Sequence, residues 1–154
     1  MDTTLGKNVT KIVTPKVLSK ARKFFGCEEL DGVELEDDEY AGSHWESRLL
    51  FAEFMSSSIG LTAVSHVSSM SLALLEDTGF STANYGVAQD AGMRWGNKAG
   101  CAFVQQKCKS PLQTTGDFCF DQNSTNVYCT QDYLATARPS NRTLSTSVIP
   151  TLKA

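Results

Sequence analysis

The sequence has 154 residues, of which 41% are apolar and 20% are charged. A chain of this size is about one domain and can bury a core, which excludes a wholly disordered protein. Its 14 basic and 17 acidic residues leave a formal charge of −3, so no large positive field favours nucleic acid as the main partner. The apolar runs, such as Leu72–Leu75, are far too short to span a bilayer.

The clearest predicted element is a helix that follows residues 1–13, a segment predicted to be a polar linker or a frayed edge segment. Thr14 can serve as its N-cap, Pro15 suits the first helical position and Gly26 suits the position that ends a helix. The residues between them that share one apolar face are Val17, Leu18, Ala21, Phe24 and Phe25.

An acidic run follows, with eight acidic side chains in the twelve positions 28–39. Such a run is usually exposed, so it predicts a solvated loop. The order of carboxylates in a calcium-binding EF-hand loop is absent from it.

A second helix is predicted from Trp45 to Met55, followed by a serine-rich turn. Its apolar spacing places Leu49, Leu50 and Phe54 inward and Glu46, Arg48 and Glu53 mostly outward.

A third helix is predicted from His66 to Asp77, ended by Gly79. It is apolar nearly all round, which is typical of a buried helix. From Phe80 onward the pattern changes to short, turn-rich segments. A loop-rich, disulfide-stapled unit is predicted after about Cys108, and an aperiodic tail rich in Ser and Thr from Ala135.

Five cysteines are present, and four of them lie between Cys101 and Cys129 without any Cys-x-x-Cys pair. This spacing disfavours a structural zinc ribbon and favours disulfides, which form in an oxidising compartment. Glycosylation sequons at Asn8, Asn123 and Asn141 agree with that compartment. The first residues do not have the pattern of a signal peptide, and together with the odd cysteine this suggests a piece of a larger protein.

Candidates for chemistry are few. The two histidines, His44 and His66, are not part of a His-Glu-x-x-His motif, and Gly-x-Ser-x-Gly and Walker loops are absent from the sequence. Taken alone, each histidine is more often structural or exposed than a metal ligand. The residues by themselves therefore indicate a disulfide-bearing globular protein and nothing sharper.

Several strings in fixed order carry a more specific signal. They are residues 15–27, residues 32–37, residues 41–48 (AGSHWESR) with the following residues 53–55 (EFM), residues 72–80 and residues 95–103. From about Thr14 to Cys129 this order closely resembles leishmanolysin, a surface zinc metalloprotease family of the metzincin clan.

The resemblance implies roles for particular residues. His44 matches the third zinc-binding histidine, and Met55 matches the methionine of the Met-turn, an apolar floor beneath the metal. One Zn²⁺ per full-length enzyme would activate a water molecule for attack on a peptide bond. Cys27 and Cys101 match a bridged pair of the family.

The sequence also departs from the family. The helix that carries the other two histidines and the general-base glutamate is absent from it, so we expect the isolated chain to be inactive. In the family the partners of Cys108, Cys119 and Cys129 would lie further downstream, and after about Leu134 the sequence is expected to diverge from the family. Both features suggest a fragment.

The resemblance implies an α+β fold in two parts. Residues 1–106 would be the mainly helical C-terminal part of a metzincin catalytic region, and residues 107–154 the start of a cysteine-rich, more β-like domain with a divergent tail.

The expected function is zinc-dependent endopeptidase activity on proteins and peptides, with adhesion through host cell-surface or matrix proteins. The location would be the cell surface, by an anchor that this chain lacks, or outside the cell after secretion. The alternative is a catalytically inactive binding protein or gene-fragment product that retains the helical scaffold. A third reading is an unrelated disulfide-rich domain.

Overall fold

The computed structural model describes residues 9–36, 42–57, 65–106, 127–129 and 136–137. Within them, helices combine with small antiparallel sheets, so the α+β content predicted from the sequence is confirmed. Cys108, Cys119, Asn8, Asn123 and Asn141 lie outside the described residues. The elements in chain order are β1 (Lys11–Ile12), α1 (Pro15–Phe25), β2 (Val33–Glu34), α2 (Ser69–Asp77), a 3-10 helix (Tyr85–Val87), α3 (Cys101–Gln105), β3 (Tyr128–Cys129) and β4 (Thr136–Ala137).

Helix α1 forms as predicted, with Pro15 in its first turn and Gly26 in the left-handed conformation, φ 70°, at its end. Its start differs from the prediction in one respect, because the Thr14 side chain makes no capping hydrogen bond. The carboxylate of Asp77, at the end of α2, instead accepts from the N–H groups of Lys16 and Val17 at 3.0 and 3.1 Å. A negative charge at a helix N-terminus is favourable, so Asp77 joins the two helices.

The centre of the fold is a ladder of short extended segments. Strand β1 pairs with β2 in antiparallel register, and Leu35 then pairs with Trp45, which also pairs with Ser56 on its other side. The predicted helix from Trp45 to Met55 is therefore wrong. Trp45 has backbone partners on two flanking segments, and its N–H donates to the Met55 carbonyl at 3.0 Å, a bond that an α-helix would not allow.

Four side chains of that segment also differ from the prediction, and one of them is Arg48, whose side chain is 10% exposed and paired with Glu34. Glu46 and Glu53 are buried, at 1% exposure each, whereas Phe54 is 56% exposed; Leu49 and Leu50 are buried as predicted. The two carboxylates turn inward because they accept backbone N–H groups in tight turns, Glu46 from Arg48 and Glu53 from Met55. Local hydrogen bonds of this kind compete with helix formation.

Helix α2 starts at Ser69, three residues later than predicted, and Ser68 caps it by accepting from the Ser71 N–H. The delay arises because the backbone of His66 is bonded to Ala52 and Phe54 in the ladder. The prediction of burial on all sides is also wrong, since Leu75 is 53% exposed while Met70 and Ala73 are fully buried. One face of α2 packs on the core.

The acidic run is only partly the predicted solvated loop. Glu28, Glu29 and Asp31 are exposed, but Glu34 and Glu36 are buried because this part of the chain forms β2 and the pairing with Trp45. Residues 37–39 lie outside the described residues. The Glu34 carboxylate is compensated by Arg48, whose guanidinium lies 3.3 Å from it.

The helical side of the core is closed by a disulfide. Cys27, just after α1, and Cys101, at the start of α3, form the bridge, and this is the pair that the family resemblance implies. Phe25 stacks on Phe103 beside it, and Phe103 meets Trp95 edge to face. Among the described residues no helix is long and apolar enough to cross a membrane.

Candidate metal centre

His44 lies in the middle of the ladder, immediately before the fully buried Trp45. Its carbonyl accepts from the N–H of Glu36 at 3.1 Å. Trp45 is buried in the core, at 0% exposure, whereas His44 is half-buried.

One nitrogen of the His44 ring is already occupied. Nδ1 lies 2.9 Å from the hydroxyl oxygen of Ser43. If Nδ1 carries the proton and donates to Ser43, then Nε2 keeps a lone pair for a metal. A metal-binding histidine typically has its second nitrogen held in this way. The residue therefore fits a metal as a single imidazole ligand.

Met55 lies on the adjacent segment of the ladder. Its carbonyl accepts from Trp45, and its N–H donates to the Glu53 carboxylate. The side chain is half-buried and packs against the core. Both backbone polar groups of Met55 are thus hydrogen-bonded. Its carbonyl is bonded to Trp45, the residue that follows His44.

A buried carboxylate supports the other side of the His44 segment. Glu36, at 0% exposure, accepts from the hydroxyls of Ser47 and Ser57 through one oxygen. Its backbone N–H holds the His44 carbonyl. The segment is therefore tied to its neighbours on both edges, by Glu36 on one side and by Met55 on the other.

His66 does not join this site. It lies beyond Met55 in the ladder, and its Nδ1 is buried without a hydrogen-bond partner among the described residues. Gly92 lies against its ring so closely that a Cβ there would be 2.7 Å from the His66 Cε1 atom. The described residues contain no group of three potential ligands that includes either histidine.

Another set of residues has the spacing of a metal site but not its chemistry. One sulfur each from Cys27 and Cys101 and a carboxylate oxygen of Glu29 lie within 4.8 Å of one another. The two sulfurs are bonded to each other in the disulfide, so they offer no thiolate to a metal. This set belongs to the structural bridge.

The sequence did not reveal the buried carboxylates around the site. Glu53 and Glu36 each hold the backbone near His44 or Met55, yet Glu36 stands in the acidic run that resembles surface, and helical spacing predicts that Glu53 points outward. The only available signal was the serine-rich surroundings, which supply the hydroxyl donors that a buried carboxylate needs.

The comparisons with known proteins agree with one another. The sequence profile of the leishmanolysin family, peptidase M8, matches residues 2–151. A leishmanolysin-like peptidase of Drosophila pseudoobscura pseudoobscura is 39% identical over 112 residues, which cover 71% of this chain and 16% of the fly protein. A leishmanolysin homolog of Crithidia fasciculata is 37% identical over 123 residues, 78% of this chain and 18% of that protein. A leishmanolysin of Leishmania chagasi is 32% identical over 127 residues, 79% of this chain and 20% of that protein.

Two facts about extent follow from these matches. The chain spans about a sixth to a fifth of the length of these relatives. The profile also reaches residue 151, so the expectation that the sequence departs from the family after about Leu134 is wrong. An aperiodic Ser- and Thr-rich composition does not distinguish a loop-rich family region from an unrelated tail.

Proposed function

Because this chain belongs to the leishmanolysin family of M8 peptidases, we propose that it supplies part of the zinc centre of a metalloendopeptidase. His44 is the metal ligand in this proposal, and Met55 is the apolar support beneath it.

The observation that carries the proposal is the pairing of the two segments. His44 offers an imidazole ring, and the next residue, Trp45, is hydrogen-bonded to the Met55 carbonyl at 3.0 Å. In this proposal the metal ligand and the methionine turn therefore lie on neighbouring segments. Ser43 orients the ring, because its hydroxyl holds Nδ1.

The ligand count limits what the 154 residues do alone. A catalytic zinc site takes three protein ligands and leaves one position open, and this chain offers His44 as one of them. A bound zinc ion supplies a lowered pKa to its water and polarises the substrate carbonyl. We infer that the remaining ligands and the general base come from another part of a longer protein, and that the isolated chain is inactive.

The remaining expectations belong to the same proposal. Residues 1–106 form the C-terminal part of a metzincin catalytic region, and residues 107–154 begin a cysteine-rich domain, in which the β3–β4 pair lies. The substrates are proteins and peptides, the location is the cell surface or the secreted space, and host surface or matrix proteins are partners in adhesion. Glycosylation at Asn8, Asn123 and Asn141 suits that location.

The rival proposal is a non-catalytic binding protein that retains the scaffold. It is favoured by one observation, that the sequence holds two histidines and lacks a His-Glu-x-x-His motif. The two proposals differ in whether His44 has a metal to bind.

Elemental analysis after dialysis against trace Zn²⁺, combined with a peptidase assay, tests the account. We expect neither the chain nor its His44→Ala variant to retain stoichiometric zinc or to hydrolyse a peptide substrate. Retention of one zinc by the wild type and its loss in the variant would mean that the chain completes a site by itself. That result would overturn the partial-site proposal.

A further inference from the structure

We propose that Glu53 is a positioning residue for Met55, fixing the methionine turn against the segment that carries His44. The proposal rests on the proposed function, which assigns His44 to the metal and Met55 to its support. Glu53 itself touches neither a metal nor a substrate in this account, and it acts through the Met55 backbone.

The Glu53 carboxylate is buried, at 1% exposure, and both of its oxygens are used. Oε2 accepts from the backbone N–H of Met55. Oε1 accepts from the N–H of Ser68 at 3.1 Å and from its hydroxyl at 2.7 Å. It also accepts from the hydroxyl of Ser71. Burying a carboxylate is costly unless it is fully hydrogen-bonded, so these four donors hold the group in one orientation.

The same hydrogen bonds close a circuit back to the His44 segment. The Ser71 hydroxyl accepts from the indole N–H of Trp45 at 2.9 Å, and the backbone N–H of Trp45 donates to the Met55 carbonyl. Trp45, Met55, Glu53 and Ser71 therefore form a ring of hydrogen bonds. Met55 is held at its N–H by Glu53 and at its carbonyl by Trp45, the residue after His44, so both of its backbone polar groups are bonded within this ring.

A carboxylate is the group that this position requires. A glutamine has nearly the same shape but offers one acceptor oxygen and one donor NH₂. If its oxygen faces the three donors from Ser68 and Ser71, its NH₂ faces the Met55 N–H and that hydrogen bond is lost. If the amide is turned round, its NH₂ faces the Ser68 N–H instead and both hydroxyls must rotate. The first arrangement loses less, so Glu53→Gln should release Met55 selectively.

Helix α2 supplies a matched control. Ser68→Ala removes the α2 cap and one donor to Oε1, so it weakens the same network while leaving the bond from Oε2 to Met55 in place. A purely structural role for Glu53 predicts that the two variants behave alike. A positioning role predicts that only Glu53→Gln changes the position of Met55 relative to the segment that carries His44.

The experiment uses the full 154-residue chain with ¹³C-methyl methionine and limiting Cu²⁺ as a paramagnetic probe, since imidazole is a good ligand for copper. We expect Cu²⁺ to broaden the Met55 methyl signal, with a sample that holds the same amount of diamagnetic Zn²⁺ as the reference. In Glu53→Gln that broadening should fall. The Met55 amide should also exchange about tenfold faster, as expected for the loss of one hydrogen bond. Ser68→Ala should keep both readouts near wild type despite its lower stability.

The outcomes separate the two proposals. If His44→Ala leaves the broadening unchanged, the assignment of His44 fails, whereas amide exchange in Glu53→Gln still tests Glu53. If Glu53→Gln matches the wild type in both readouts, or matches Ser68→Ala, the positioning role is overturned. Should Glu53→Gln not fold, Glu53→Asp keeps the negative charge but its side chain is one methylene shorter, so it should release the Met55 N–H. If the methyl broadening and the amide exchange of Met55 are both unchanged in that variant, the proposal is also overturned.

Discussion

Trp45 and Met55 are joined through their backbones, since the N–H of Trp45 donates to the Met55 carbonyl over 3.0 Å. Trp45 is also fully buried, and its indole reaches Ser71 in α2. The bond therefore sets the spacing between the segment that carries His44 and the segment that carries Met55, and it anchors both to the core. The candidate metal centre depends on this contact more than on any helix.

Removal of the hydroxyl at Ser71 should test how strongly the core holds that contact. Ser71→Ala leaves the buried Trp45 N–H without its acceptor, and we expect a loss of about 1–3 kcal/mol in the free energy of unfolding. Urea denaturation measures it. Ser69→Ala is the control, because Ser69 is also buried but is bonded to Asp90 through its backbone N–H. Equal losses in the two variants would contradict the role of the Ser71 hydroxyl.

The junction of α1 and α2 should weaken in acid. Partial burial pushes the pKa of Asp77 upward, but hydrogen bonds from the start of α1, including those of Val17 and Lys16, outweigh it and leave the pKa below its usual 3.8. A carboxyl with a lowered pKa in the folded state stabilises the protein above its unfolded pKa and loses that effect as the pH falls. We therefore expect the urea concentration at the unfolding midpoint to fall when the pH is lowered below about 4.

Asp77→Asn isolates this contribution. Asparagine keeps an acceptor oxygen for the helix N-terminus but does not titrate. The difference in urea midpoint between wild type and variant should shrink as the pH falls from 6 toward 3. A difference that stays constant across this range would show that the Asp77 charge does not contribute.

The disulfide should contribute substantially to stability. The bridge between Cys27 and Cys101 closes a loop with a sequence separation of 74, and loop-closure entropy predicts a loss of about 4 kcal/mol when it is removed. We expect Cys27→Ser with Cys101→Ser to lower the thermal midpoint markedly. Cys129→Ser, at an exposed position, should leave the midpoint unchanged. A small effect of the double variant would mean that packing alone holds α3 on α1.

Gly96 should tolerate no side chain. It has a φ of 72°, and a Cβ there would lie 2.6 Å from the Phe103 ring. Gly79 has a similar φ of 80° with open space around it, so Gly79→Ala measures the backbone strain alone, about 1–2 kcal/mol. Gly96→Ala should cost clearly more in urea denaturation, because the Phe103 ring must also move. Equal costs would show that the ring yields freely.

Patterns with local causes were predictable from the sequence. Helix α1 was predicted correctly because its first-turn proline, its apolar face and its terminal glycine are all local features of the sequence. The Cys27–Cys101 pair followed from the ordered strings of the family, and no local pattern implied it.

The centre of the fold was not predictable in the same way. The residues from Trp45 to Met55 have apolar spacing compatible with a helix, yet backbone partners distant in sequence, Leu35 and His66, draw them into a ladder. The apolar spacing of a helix predicts that Glu53 points outward. Its four donors come from Met55 and from the start of α2, which single-sequence spacing does not bring together.

The most direct test of the central claim is a Zn²⁺ titration of the 154-residue chain followed through the ring signals of its two histidines by NMR. The His44 ring signal should shift with added Zn²⁺, weakly because one ligand is present, while the His66 signal stays in place, and His66→Gln should leave the response unchanged. A response from His66 instead, or none from His44 in the folded chain, would contradict the assignment of His44 to the metal.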